Sequence, residues 1–127
     1  MKLYSVKLLK ALTYSGESIE MGSFHYEELI VLALLENDFF DRSSQDILEY
    51  FREELKEEDY LNAGGRMVSS NVVKILGFFE LEDIRLRMAI DFQELGELYS
   101  RYLVFDERVG LDRVMETYYP DYLQYPV

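Results

Sequence analysis

Residues Glu27–Asn37 read EELIVLALLEN, and the seven consecutive apolar residues from Leu29 to Leu35 leave no side that water could wet. The segment has to be buried. A run apolar on every side fits an inner strand and a fully covered helix equally well, so periodicity leaves the choice open. Its shortness, its β-branched Ile30 and Val31 and the helix start soon after Asn37-Asp38 favour a central strand flanked by neighbours. A single helix covered on all sides is the alternative.

Upstream, Leu3–Tyr14 carries Val6, Leu8, Leu9, Ala11 and Leu12, a spacing that fits a strand with one irregular step or a short amphipathic helix, with the strand preferred. Ser15-Gly16 is a turn signal, and Ser18–Phe24 alternates loosely through Ile19, Met21 and Phe24, as a connection or hairpin would. Downstream of Phe39 and Phe40, DRSSQDILEYFREELKEEDY predicts an acidic amphipathic helix over Ser44–Glu58. Ser43 is its cap, Asp46 gives it a capping-box-like start, and Ile47, Leu48, Phe51 and Leu55 fall on one face. From Ser43 to Tyr60 seven acidic residues (Asp46, Glu49, Glu53, Glu54, Glu57, Glu58 and Asp59) stand against Arg52 and Lys56, a local net of −5. Such a face is either solvated or a docking surface for a basic partner.

After the loop Asn62–Gly65, Met67–Leu81 reads as a long strand, with Gly77 marking a bulge or a close backbone approach; a helix capped by Ser69 or Ser70 competes less well because of its glycine and valines. Asp83–Phe92 alternates as a half-buried strand but also fits a long helix continuing through Leu95, Tyr99 and Tyr102. Glu97–Phe105 reads as another strand. Leu111–Thr117 could form one helical turn, and Tyr118, Tyr119, Tyr122 and Tyr125 follow among Pro120 and Pro126 in an irregular tail. Tyrosines so concentrated dock either on the protein's own core or on a partner or second copy.

At 127 residues the chain is read as one domain, 1–127, with a tyrosine-rich tail over 110–127. It has no cysteine, which excludes disulfides, thiolate metal sites and a cysteine nucleophile, and makes the cytoplasm the default setting. No window approaches the roughly 18 apolar residues of a membrane span, and the N-terminus lacks a secretory h-region, so a soluble, unprocessed protein without membrane partners is expected. The formal net charge of −12 repels phosphate backbones, which argues against nucleic acid and would speed encounter with a basic protein.

Recognisable chemistry is sparse. Gly64-Gly65 lacks the spacing and lysine of a phosphate loop, and no calcium-loop spacing occurs. His25, the sole histidine, reads as structural or surface. Ser100 is expected to pair with backbone or with Tyr4 or Ser5 on a neighbouring strand. Arg101, a guanidinium in an otherwise apolar strand, needs an anion: an internal Glu, or else the carboxylate or phosphate of a ligand.

Taken in order, YSVKLL (Tyr4–Leu9), EELIVLALL (Glu27–Leu35), an acidic helix, VKILGFFEL (Val73–Leu81) and ELYSRY (Glu97–Tyr102) resemble a bacterial family of small proteins known only as a domain of unknown function (family 4288). The resemblance implies the order strand, strand, helix, strand, strand, and supplies no activity and no catalytic residues. The chain departs from the family around Asp83–Phe92 and after Val109, so features resting there are its own.

The fold expected is therefore α+β: an antiparallel sheet of four or five strands with one long amphipathic acidic helix on one face. The other face would be covered by the insert, the tail or a second copy, making a homodimer the economical solution, and exposed sheet edges invite strand addition. The function expected is a non-enzymatic protein-interaction or inhibitor/immunity-type module without cofactor or metal. Its partner would be a basic protein, met through Glu49, Glu53, Glu54, Glu57, Tyr118, Tyr119 and Tyr122. The alternative is a small-ligand-binding or enzymatic domain using a sheet-lined pocket around Arg101.

Overall fold

The deciding segment is extended. In the computed structural model, which describes residues 1–14, 16–81 and 96–121, it belongs to strand β2 (Ser23–Leu35). Strand β1 (Lys2–Tyr14) pairs with it antiparallel from Lys2 opposite Leu35 to Leu12 opposite His25. The connection closes through Gly22, whose φ of 82° suits glycine, and a Cβ there would lie 3.0 Å from the Val109 carbonyl carbon.

Strands β3 (Tyr60–Leu61), β4 (Met67–Leu81) and β5 (Glu97–Val109) complete a five-stranded antiparallel sheet in the order β3-β4-β1-β2-β5. β1 is the middle strand, and β2 lies beside it with β5 on its far edge. Both are enclosed laterally, and cover on both faces accounts for the apolar run Leu29–Leu35 of β2, whereas β1 carries Ser5, Lys7 and Lys10 among its apolar residues. The competing helical readings of Leu3–Tyr14, of the deciding segment and of Met67–Leu81 are thereby set aside. Ser100 lies opposite Leu29 of β2, since β5 does not neighbour β1, so the expected pairing with Tyr4 or Ser5 does not form. The segment Asp83–Phe92, with its open choice of strand or helix, lies outside the described residues.

β4 is irregular near the glycine that flagged it. Opposite β1 the register skips twice, Leu8 facing Ile75 while Lys7 faces Gly77, and Leu9 facing Lys74 while Lys10 faces Val72. Leu76 and Val73 are the extra residues. These two bulges break the period of two, so that Val72 and Ile75 join one core cluster while Val73 and Leu76 join the other.

The first cluster lies under helix α1 (Ser44–Glu54), which sends Ile47 and Phe51 onto Tyr4, Val6, Leu8, Leu29, Val31 and Ala33. As expected, Ser43 caps this helix, its hydroxyl accepting the Asp46 N–H at 3.1 Å. Phe39 and Phe40, in the 3-10 turn before it, extend the packing, and Phe40 stacks on Phe78 at 3.6 Å between ring centroids. The helix is shorter than expected, 11 residues rather than a rod to Glu58. Glu53, Glu54, Glu57 and Glu58 crowd negative charge at the end where the helix dipole is already negative, which works against further turns.

The opposite face is covered in part by helix α2 (Leu111–Tyr118), longer than the single turn read from the sequence. Val114, Met115 and the following Tyr119 pack on Leu9, Ala11, Tyr26, Val73, Leu76 and Leu103. The protein is thus α+β, with two helices among the described residues, one on each face of the sheet. None of the described helices is long and apolar enough to cross a membrane.

Candidate functional site

Glu27 and Glu28 open the deciding segment, and the pleat of β2 sends them to opposite faces of the sheet. Each face therefore acquires one carboxylate inside its structure. The two environments differ.

On the α2 face, Glu28 is only 3% exposed. Its carboxylate accepts from Lys7 Nζ of β1 at 2.8 Å, from Tyr119 Oη at 2.8 Å and from Arg101 Nε of β5. Arg101 also reaches the Tyr119 hydroxyl at 3.4 Å. Burial pushes the Glu28 carboxyl up, but the hydrogen bonds from Lys7, Tyr119 and Arg101 outweigh it and hold the group below 4.5, its ordinary value. Burial and the bond to Glu28 push the Tyr119 phenol up to about 12, so it remains a donor at any physiological pH. The anion that Arg101 requires is thus an internal Glu, one of the two answers the sequence left open. Tyr119, placed among interface candidates, is a buried pin that ties the end of α2 to three strands. Tyr118 beside it stays exposed and leans on Phe105; Tyr122 lies outside the described residues.

On the α1 face, Glu27 enters a cavity of about 310 Å³ lined by Leu12, Leu29, Glu57, Tyr60, Ser70, Glu97 and Tyr102. Tyr60 belongs to β3 and Tyr102 to β5, the two outer strands. The sheet therefore curls over its α1 face until its edges look at each other across the cavity. Lys10 is 2% exposed, and its ammonium lies 3.5 Å from Glu57. Burial pushes the Glu27 carboxyl above 4.5; the Tyr102 hydrogen bond and Lys10 pull it back, while Glu97 and Glu57 push it up again, and the net is upward.

A second contact fastens the same pair of edges. Glu17, in the β1–β2 connection, receives Arg108 of β5 through both terminal nitrogens, one of them at 2.8 Å, and Arg66 of the β3–β4 turn at 3.4 Å. The Arg108 hydrogen bond lowers the Glu17 carboxyl below its ordinary value, with Arg66 adding to the effect.

Of the remaining candidates, Glu49, Glu53 and Glu54 are exposed on α1, and Glu57 follows them at the mouth of the acidic cavity. His25 is exposed. No group of three or more histidines, aspartates or glutamates among the described residues is arranged to hold a metal ion. Sequence reasoning passed over Glu27, Glu28, Lys7, Lys10 and Glu97. The signal available was the adjacent Glu pair entering a strand covered on both faces, where each carboxylate must find its own partners.

No protein-family model, curated protein or solved structure matches this chain.

Proposed function

We propose that this protein is a non-enzymatic interaction module of inhibitor or immunity type that binds a basic protein. The observation that carries the reading is the continuity of negative charge from Glu49, Glu53 and Glu54 on α1, through Glu57, to Glu27 and Glu97 in the adjoining cavity. A field of one sign focused at a cleft raises the rate of encounter with an oppositely charged partner. The short helix narrows the surface but leaves its charge intact.

The test is a pull-down followed by titration of each captured partner against the Glu53→Lys, Glu54→Lys, Glu57→Lys variant. Affinity is expected to drop about tenfold at low salt and to differ less at high salt. Unchanged affinity for every captured partner would sink the reading.

The same proposal places the protein in the cytoplasm, in keeping with its lack of cysteine, and pairs it with a second copy along β5. In support of the dimer, Leu98, Tyr99, Tyr102 and Val104 are all exposed on this edge strand. Solution scattering should return twice the chain mass; a monomer mass removes the dimer. Kinship with the family of unknown function is likewise part of the proposal and rests on the sequence stretches quoted above. The enzyme or ligand alternative loses its motive, because Arg101 is engaged by Glu28 and the acidic cavity opens on the other face.

A further inference from the structure

The sheet ends unevenly on its β3 side. β3 is the outermost strand there, but it is two residues long and pairs only with Met67 and Val68 of β4. Among the described residues, β4 from Ser69 to Leu81 therefore has β1 on one side and no strand on the other. An open edge offers main-chain N–H and C=O groups to any extended segment, and Phe78 and Phe79, both exposed, add apolar surface to this one. Two identical edges laid antiparallel satisfy the main-chain groups of both, so a second copy of the chain is the occupant that fits.

The segment that carries α1 flanks this edge. Phe40, in the 3-10 turn before the helix, stacks on Phe78. In the last turn of α1, Arg52 reaches Val72: its Nε donates to the Val72 carbonyl oxygen at 2.8 Å in a partly buried contact. Arg52 is the single basic residue of α1, and Glu49, Glu53 and Glu54 lie close to it in sequence. Its guanidinium is nevertheless directed at a main-chain carbonyl. A charged donor makes a strong hydrogen bond to such an oxygen, and it stands where the N–H of a further strand would have to come.

We infer that Arg52 guards the β4 edge: by occupying the Val72 carbonyl it keeps a second copy of this chain from adding its own strand there. Three features act together along this edge. β3 covers its start, Arg52 closes it at Val72, and the bulges at Val73 and Leu76 break the regular spacing that follows. The guard does not depend on the pairing along β5 proposed above, which concerns the other end of the sheet.

The test measures mass by sedimentation over a wide range of concentration for wild type and Arg52→Met, which keeps an unbranched stem without the donor. At the highest concentration the variant should exceed wild type about twofold in average mass, as one further pairing requires. Amide protection over Asn71–Ile75 should rise with concentration in the variant alone. Loss of a cation makes an already acidic chain more acidic, which opposes association, so a rise in mass reports the opened edge. Masses that coincide at every concentration, or a rise in mass without a rise in protection over Asn71–Ile75, overturn the inference. Should Arg52→Met fail to fold, Arg52→Ala, favourable in a helix, is read by the same two measurements with the same outcomes. A wild type that stays monomeric throughout removes the β5 dimer, and the guard is still decided by the difference between variant and wild type.

Discussion

Two neighbouring glutamates in one strand meet opposite fates. Glu28, under α2, is wrapped by two cations and a phenol and held as a carboxylate; Glu27, under the curled edge, is pushed toward its acid form chiefly by burial, which Tyr102 and Lys10 only partly offset and to which Glu97 and Glu57 add. Backbone position, residue type and lateral burial of the strand are almost the same for both. What differs is the set of side chains that the neighbouring strands and connections bring to each face. The environment of a buried carboxylate is thus decided by tertiary pairing: one face of the sheet surrounds its carboxylate with donors, while the other mainly strips it of solvent.

The face of Glu27 nonetheless holds the larger apolar cluster, and the comparison can be broken there first. Phe51 is fully buried, with its ring edge-on to Phe39 at 5.9 Å and to Tyr50 at 5.1 Å. Phe51→Ala should cost about 3–5 kcal/mol in urea denaturation, the usual loss for an aromatic that leaves a cavity. A loss below about 1 kcal/mol would mean that α1 contributes little to holding the sheet.

The next effect belongs to Glu28. Glu28→Gln keeps the shape but leaves Lys7 and Arg101 without their shared anion in a partly dry site. The cost should be about 2–3 kcal/mol, less than for a fully dry pair because both cations reach solvent. Its pH dependence is diagnostic. The Glu28 carboxyl lies below its ordinary 4.5, so the wild-type advantage should hold above that value and vanish as pH falls through the lowered one. Paired urea titrations at neutral and acid pH read it directly, and a difference that persists at low pH contradicts an ionic clasp.

Much of this architecture was legible in the chain. Leu29–Leu35 announced a strand enclosed on both sides, Ser43 announced the start of α1, and Gly77 marked the neighbourhood of the β4 bulges. The end of α1 was not legible from apolar spacing alone, because Leu55 continues the pattern while the charges of Glu53, Glu54, Glu57 and Glu58 oppose it. The pairing of Arg101 with Glu28 was open for a different reason. The two residues are far apart in sequence, and β5 reaches β2 only by passing beyond β1. Strand order, which no local pattern encodes, made the clasp and the acidic cavity together.

The smallest expected effect has the opposite sign, and it sharpens the comparison most. Glu27→Gln removes a carboxylate whose ionisation the folded chain resists. At neutral pH the variant should be more stable than wild type, by no more than about 1 kcal/mol because the site is half-open to solvent and screened. Wild type regains the difference as pH falls through the raised value of Glu27, and the two should converge below 4.5, where folded and unfolded chains alike hold the proton. The neighbouring substitutions, identical in chemistry, would then move stability in opposite directions at neutral pH and draw back toward wild type as the solution is acidified. Destabilisation by both would show that Glu27 also sits among net favourable partners, with Lys10 and Tyr102 outweighing Glu57 and Glu97.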